Sequence, residues 1–387
     1  MWTDNLRGDP LPWLLEPDPA NPGVRAMALR ELLDRPDDDP EVRAAQAATM
    51  TTGPVPAILD AQSPDGSWVK PGGGYSPKYR GTVWQIIFLA QLGADGDDLR
   101  VRRGCDYVLD HSRAPMPYGG FSAAIDARPA GLVHCLGGNL CAALLDLGWL
   151  GDARLDEALD WLARSVTGER VAPAGQTDVL PRYYRCATSA PGFVCAANAH
   201  RPCAWGAVKV MLALGKVPRS ARTPAMREAI EEGIRFLLGR DPAVADYPTW
   251  DDRPPSGSWF RFAYPVAYVT DLLQNLEALT SLGYGGDPRL RPALDLLLGK
   301  QDAHGRWRLE YDYRGKTWAD LEEKGQPSKW VTLRALRVLK RAGDASLAAA
   351  AAARAAIHAD RNGIPLPDSG EILTQLREER VQAADGL

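Results

Sequence analysis

The chain has 387 residues, 45 Lys and Arg against 49 Asp and Glu, a formal net charge of −4 and 45% hydrophobic side chains. That balance excludes a polybasic nucleic-acid binder, and the apolar content excludes a disordered chain. Leu347 to Ala353, the most apolar-looking run, is mostly alanine and is cut by Arg354, so no membrane span is expected.

The N-terminus, with Asp4, Arg7 and several prolines, lacks the apolar core of a signal peptide. Six cysteines are too few for a disulfide scaffold in a chain this long. A soluble, cytoplasmic protein with reduced thiols is the expectation.

Helical hairpins then follow in chain order. Val24 to Leu33, a turn at Asp34 to Pro40 and Glu41 to Met50 form the first. Thr82 to Leu92 and Arg100 to His111 form the second, joined through Gly93–Asp98. Asn139 to Leu147 pairs with Leu155 to Ser165, Ala204 to Leu214 with Ala225 to Arg240, and Asp271 to Leu282 with Arg289 to Gln301. Trp330 to Ala342 followed by Leu347 to Ala359 would make the sixth. Apolar residues recur at helical spacing, as in Leu272, Leu273, Leu276, Leu279 and Leu282. From the second hairpin on, glycine follows each inner helix, where a left-handed cap is needed.

Hairpins repeating with little strand signal predict an all-α fold, a closed α/α toroid of about six hairpins, with an open solenoid as the alternative. The expected organisation is an N-terminal extension over 1–23, the repeat domain over 24–360 and a C-terminal tail over 361–387. Turns within hairpins are short and belong at one end of the ring. The long connections Ser63–Gly81, Ser112–Gly138, Val166–Cys203, Asp241–Thr270 and Asp302–Lys329 gather at the other. Connections of this length usually carry function or disorder, and these are rich in aromatic and charged residues.

Gln62-Ser63-Pro64-Asp65-Gly66-Ser67-Trp68 reads Gln-x-x-x-Gly-x-Trp, and Gln301-Asp302-Ala303-His304-Gly305-Arg306-Trp307 repeats it. Gly119-Gly120-Phe121 is a weaker echo. On these motifs the chain resembles the terpene cyclase and prenyltransferase superfamily. The motif's work is structural: Gln caps a helix end, Gly turns the chain and Trp packs over the next helix. The resemblance implies the toroid fold and an apolar or isoprenoid substrate in its cavity. Triterpene cyclases of this superfamily protonate substrate with the middle Asp of Asp-x-Asp-Asp. Asp95-Gly96-Asp97-Asp98 matches those letters, but it lies in a short turn within a hairpin, where acids cap helices. Asp37-Asp38-Asp39-Pro40-Glu41 sits likewise.

Cys105 and Cys141 fall within helices and read as small core residues. Cys135, Cys186, Cys195 and Cys203 all fall in or at the end of long loops, with His200 three residues before Cys203. Four thiolates, or three with His200, complete a tetrahedral zinc site; an iron–sulfur cluster is the alternative, and partly buried free thiols are the third reading. Protein prenyltransferases and lanthionine cyclases bind zinc in toroids, but the present cysteines reproduce neither ligand motif.

The same mouth collects Tyr75, Lys78, Arg80 and Trp84, then Trp259, Arg261 and Tyr268, then Trp307, Lys316, Trp318 and Lys329 as substrate-binding candidates. Aromatic faces suit an isoprenoid and its carbocations, and Lys or Arg suits a diphosphate. Tyr264, Asp271 and Glu310 are the candidate catalytic groups. The alternative function is a non-catalytic, metal-bearing toroid that binds a protein or small-molecule partner. A deep apolar hole favours the enzyme, and a hole filled by side chains favours the binder.

Overall fold

Acids and prolines set the helix starts. In a computed structural model, which describes residues 2–124, 131–173, 175–180, 184–186, 188–251 and 256–360, Asp39, Asp98 and Asp152 each accept a backbone N–H as N-caps. The chain is mostly helical. The helices are α1 (Leu11–Leu15), α2 (Pro22–Met27, continued by a π turn over Ala28–Leu32), α3 (Pro40–Thr51), α4 (Pro54–Asp60), α5 (Thr82–Gln91), α6 (Leu99–His111), α7 (His134–Asp146) and α8 (Ala153–Thr167). After them come α9 (Ala204–Lys216), α10 (Pro224–Leu238), α11 (Leu272–Ser281), α12 (Arg291–Gly299) and α13 (Lys329–Asp360).

The loop between α8 and α9 carries short strands that the helical reading did not anticipate. β1 (Val171–Pro173) pairs in parallel with β2 (Tyr184–Cys186). The antiparallel set is β3 (Ser189–Ala190), β4 (Val194–Cys195) and β5 (Arg201–Pro202).

Burial separates two kinds of helix. Every residue of α5 from Thr82 to Ala90 is buried, whereas α6, α8 and α10 bury only one stripe. The first kind is inner, the second outer. α5 packs on α7, α7 on α9 and α9 on α11, while α8 packs on both α6 and α10. α7 and α9 approach closely because Gly138 has no Cβ: one there would lie 2.4 Å from the Lys209 carbonyl carbon. Arg334 of α13 bonds Glu277 of α11, and Trp330 of α13 donates its indole N–H to Asn21 Oδ1 at 2.8 Å, at the start of α2. A Cβ on Gly23 in α2 would stand 2.2 Å from the carbonyl oxygen of Leu92, which follows α5. Contacts therefore pass from α2 through α5, α7, α9, α11 and α13 back to α2.

Near the short turns, the ends of neighbouring inner helices lie against one another. Gly96 abuts Leu147, Gly215 abuts Ser281, and Gly285 abuts Ala342. Asp98 caps α6 and Asp97 pairs with Arg102, so the Asp-rich turn starts a helix, as its position implied.

One expectation is revised. The sixth hairpin lacks its turn, because α13 runs unbroken from Lys329 to Asp360; Gly343–Ser346 contains no proline, and the alanine run after it strongly favours helix. The chain divides into the units Met1–Gly343 and Asp344–Leu387. In the first of these, Arg7 holds Gln301 through N–H to Oε1 at 3.1 Å and Nη1 to the carbonyl at 2.8 Å. The expected tail over 361–387 lies outside the described residues. Among the described residues, no helix is long and apolar enough to cross a membrane.

Candidate functional site

The two Gln-x-x-x-Gly-x-Trp copies build the same corner. Trp68 and Trp307 are fully buried, and each indole N–H reaches back ten residues to a helix carbonyl, Ile58 at 2.7 Å and Leu297 at 2.8 Å. Each Trp backbone N–H donates to a threonine Oγ1 at 3.0 Å, Thr82 on α5 and Thr332 on α13. Gly66 and Gly305 turn the chain at φ of 93° and 72°. Trp307 is thus a fully buried corner residue.

At the long-loop end, the first and last connections meet. Tyr79 and Tyr313 form a tilted pair with ring centroids 4.5 Å apart, and Trp318 Nε1 donates to the Arg80 carbonyl at 3.0 Å. Trp84 sits at the centre of an aromatic box, 5.4 Å from Tyr75, 5.0 Å from Tyr79 and 5.1 Å from Tyr268. The Lys78 ammonium lies 5.2 Å over the Tyr79 ring and 5.0 Å over Tyr268. The Arg80 guanidinium lies over Trp318, and Lys316 is exposed three residues after Tyr313. Burial raises the hydroxyl pKa of Tyr268 and Tyr313 above the usual range, so both stay neutral.

Other candidates lie elsewhere. Trp259 is buried against Tyr247, its indole bonded to the Pro242 carbonyl at 3.0 Å. Arg261 is exposed beyond it. Lys329 pairs with Asp18 at 3.2 Å and lies over Trp13.

The three candidate catalytic groups are all engaged by the scaffold. Asp271 caps α11, accepting the Gln274 N–H at 2.7 Å, the Ala263 N–H at 2.8 Å and Arg334 at 3.2 Å. Tyr264 stacks on Trp330 at 4.6 Å and donates its hydroxyl to the Gln91 carbonyl at 2.6 Å. Glu310 accepts the Phe262 N–H at 2.8 Å and binds Lys300 at 2.7 Å. These contacts hold loop to helix.

Between the inner helices lies a charged network that the sequence reading missed. Arg334 binds Asp271 and, at 2.7 Å, Glu277, with its remaining donor on the Ala263 carbonyl at 2.7 Å. Lys209 is wholly buried and donates to Gln274. Burial pushes its pKa down to about 7, opposed by the Asp271 and Glu277 carboxylates. The available signal was Lys209 and Glu277, each standing in the middle of an otherwise apolar stretch of α9 and α11.

Cys135, at the start of α7, Cys195 on β4 and Cys203, the N-cap of α9, lie near enough for Cys203 to influence the titration of Cys195 and to be influenced by both others. The neighbouring Cys135 thiol and burial push Cys203 up to about 12 against an opposing effect of Cys195, and Cys203 and burial raise Cys195. Cys186 is instead buried beside Trp161, Leu132 and Val171, and burial lifts it to about 12. His200 is exposed at the tip before β5, its N–H on the Cys195 carbonyl. Among the described residues, no group of three or more His, Cys, Asp or Glu side chains stands in geometry to hold a metal ion.

A small cleft beside α7 is lined by Phe121, His134, Trp161, Ser165, Cys186 and Ser189. His134 Nε2 meets Ser165 Oγ at 3.1 Å, and burial pushes the imidazole down to about 4.

No family model and no curated protein matches this chain. Among solved structures, a protein from Actinoplanes is 16% identical, with 83% of this chain and 90% of that one covered and a TM-score of 0.39. The type II terpene cyclase MstE from Scytonema is 14% identical over 75% of this chain and 96% of its own, with a TM-score of 0.27. A form of the cyclase in complex with geranylgeranyl dihydroxybenzoate gives 12%, 75%, 95% and 0.26. At these values nothing of their chemistry transfers to this chain.

Proposed function

We propose that the inner helices close as an α/α toroid and that its long-loop end binds an apolar, isoprenoid-type small molecule with an anionic head. The observation that carries this reading is the meeting of the first and last long loops in one aromatic box, Tyr75, Tyr79, Trp84, Tyr268 and Tyr313. Apolar ring faces receive the chain of the ligand, and Lys78, Arg80 and Lys316 at the edge receive its charged end. Binding, rather than acid-initiated cyclisation, suits the interior. Asp271 and Glu277 are paired with Arg334, and these groups and Lys209 are buried.

Calorimetric titration with geranylgeranyl diphosphate tests the reading. Saturable binding that weakens at least tenfold in Trp84→Ala and in Lys78→Met is expected. Absence of saturable binding to any prenyl diphosphate, or binding indifferent to both substitutions, would overturn it.

A further inference from the structure

Three side-chain oxygens in and beside the aromatic box are buried with no hydrogen-bond partner among the described residues: Gln85 Oε1 and the hydroxyls of Tyr268 and Tyr313. They come from three separate segments, α5 and the fourth and last long loops, and ring contacts tie those segments to one box. Trp84, next to Gln85, lies 5.1 Å from Tyr268 and 5.0 Å from Tyr79, and Tyr79 lies 4.5 Å from Tyr313. Gln85 Nε2 donates to the carbonyls of Tyr79 at 3.1 Å and Gly81 at 3.3 Å. Those two bonds fix the orientation of the amide and leave Oε1 as an acceptor in need of a donor. Buried polar atoms are paired in the great majority of cases, and each orphan costs free energy that a bound hydrogen-bonding group recovers.

Resting on the reading of this mouth as a small-molecule site, we propose that the end of the molecule entering the box carries a neutral hydroxyl. The ligand class is then a hydroxylated isoprenoid with its anionic head at the rim. A hydroxyl donates to Gln85 Oε1 and accepts from a tyrosine O–H within one small group. A hydrocarbon end leaves all three oxygens unpaired. A carboxylate or diphosphate offers Gln85 no proton. An ammonium meets the Lys78 ammonium, already 5.2 Å over the Tyr79 ring and 5.0 Å over that of Tyr268, and is repelled. Gln85, Tyr268 and Tyr313 thus set specificity at the buried end, through hydrogen bonds alone.

Calorimetric titration of the full chain compares farnesyl diphosphate with ω-hydroxyfarnesyl diphosphate, which differ by one terminal hydroxyl. The hydroxylated compound should bind the wild-type chain at least about tenfold more tightly, because a site built around a hydroxyl rejects the analogue lacking it. In the double variant Tyr268→Phe with Tyr313→Phe that preference should fall below about threefold, since the ring contacts stay and only the oxygens go. Helical circular dichroism identifies a variant that fails to fold, and the wild-type comparison needs no variant. As a readout free of ligand, Tyr313→Phe should raise the thermal midpoint of the free protein, because it deletes a buried unpaired hydroxyl. A lowered midpoint would show that the hydroxyl has a partner within the fold and overturn the premise. Equal or reversed affinity of the wild-type chain for the two compounds, or a preference that survives in the folded double variant, would overturn the proposal and leave the mouth intact. Binding of neither compound would overturn the mouth itself and this proposal with it.

Discussion

The corners at Trp68 and Trp307 use one set of hydrogen bonds twice, whereas the charged interior at Arg334 and the thiols at Cys203 occur once each. A corner answers a demand that recurs with every hairpin: end an outer helix, turn, and anchor the next inner helix. Neither the interior network nor the thiol junction answers such a demand. The Arg334 network costs desolvation that well-packed apolar residues would avoid, and no neighbouring hairpin copies it. The difference locates construction in what repeats and individuality in what does not.

The sharpest break of this comparison is at the corners themselves. Trp68→Ala and Trp307→Ala should each destabilise the fold by about 3–5 kcal/mol, measured as a shift in denaturant midpoint, and by similar amounts. A cost at only one corner would show that the shared geometry is not shared energetics.

Acid should next weaken the unrepeated region. The unfolded chain protonates His134 near its ordinary 6.5, but the folded chain resists until about 4. Stability is therefore lost as pH falls from about 6.5 to about 4, by up to about 3 kcal/mol. Unfolding free energies taken across that range should have a shallower pH slope in His134→Gln than in the wild-type chain. Equal slopes would remove His134 from the account.

Smaller effects come from the threonines. Thr82→Val and Thr332→Val each leave a buried Trp N–H without its acceptor, at a cost of about 1–3 kcal/mol. Thermal unfolding of the pair tests the repeat again, and matched losses are expected.

Much of the scaffold was legible because its signals are local. Gln-x-x-x-Gly-x-Trp announced the corners, Asp before Leu or Arg announced helix caps, and loop length alone put Tyr79 and Tyr313 at one end. What stayed hidden depends on partners far apart in sequence. Arg334 meets Glu277 across 57 positions and Lys209 meets Gln274 across 65, and helical period says nothing about such pairings. Spacing grouped Cys186 and His200 with the other cysteines, yet the small strands turn Cys186 toward Trp161 and leave His200 outside. Asp271 and Tyr264 carried the right chemistry for proton transfer but are engaged by Arg334, Gln91 and Trp330.

Hydrogen exchange of the full chain, with and without geranylgeranyl diphosphate, tests the proposed mouth most directly. Protection should rise together in the Lys78–Trp84 and Tyr311–Trp318 segments, which meet in the aromatic box, while the two corners stay as they were. Unchanged exchange in both segments at saturating ligand, or protection confined to some other part of the chain, would contradict it.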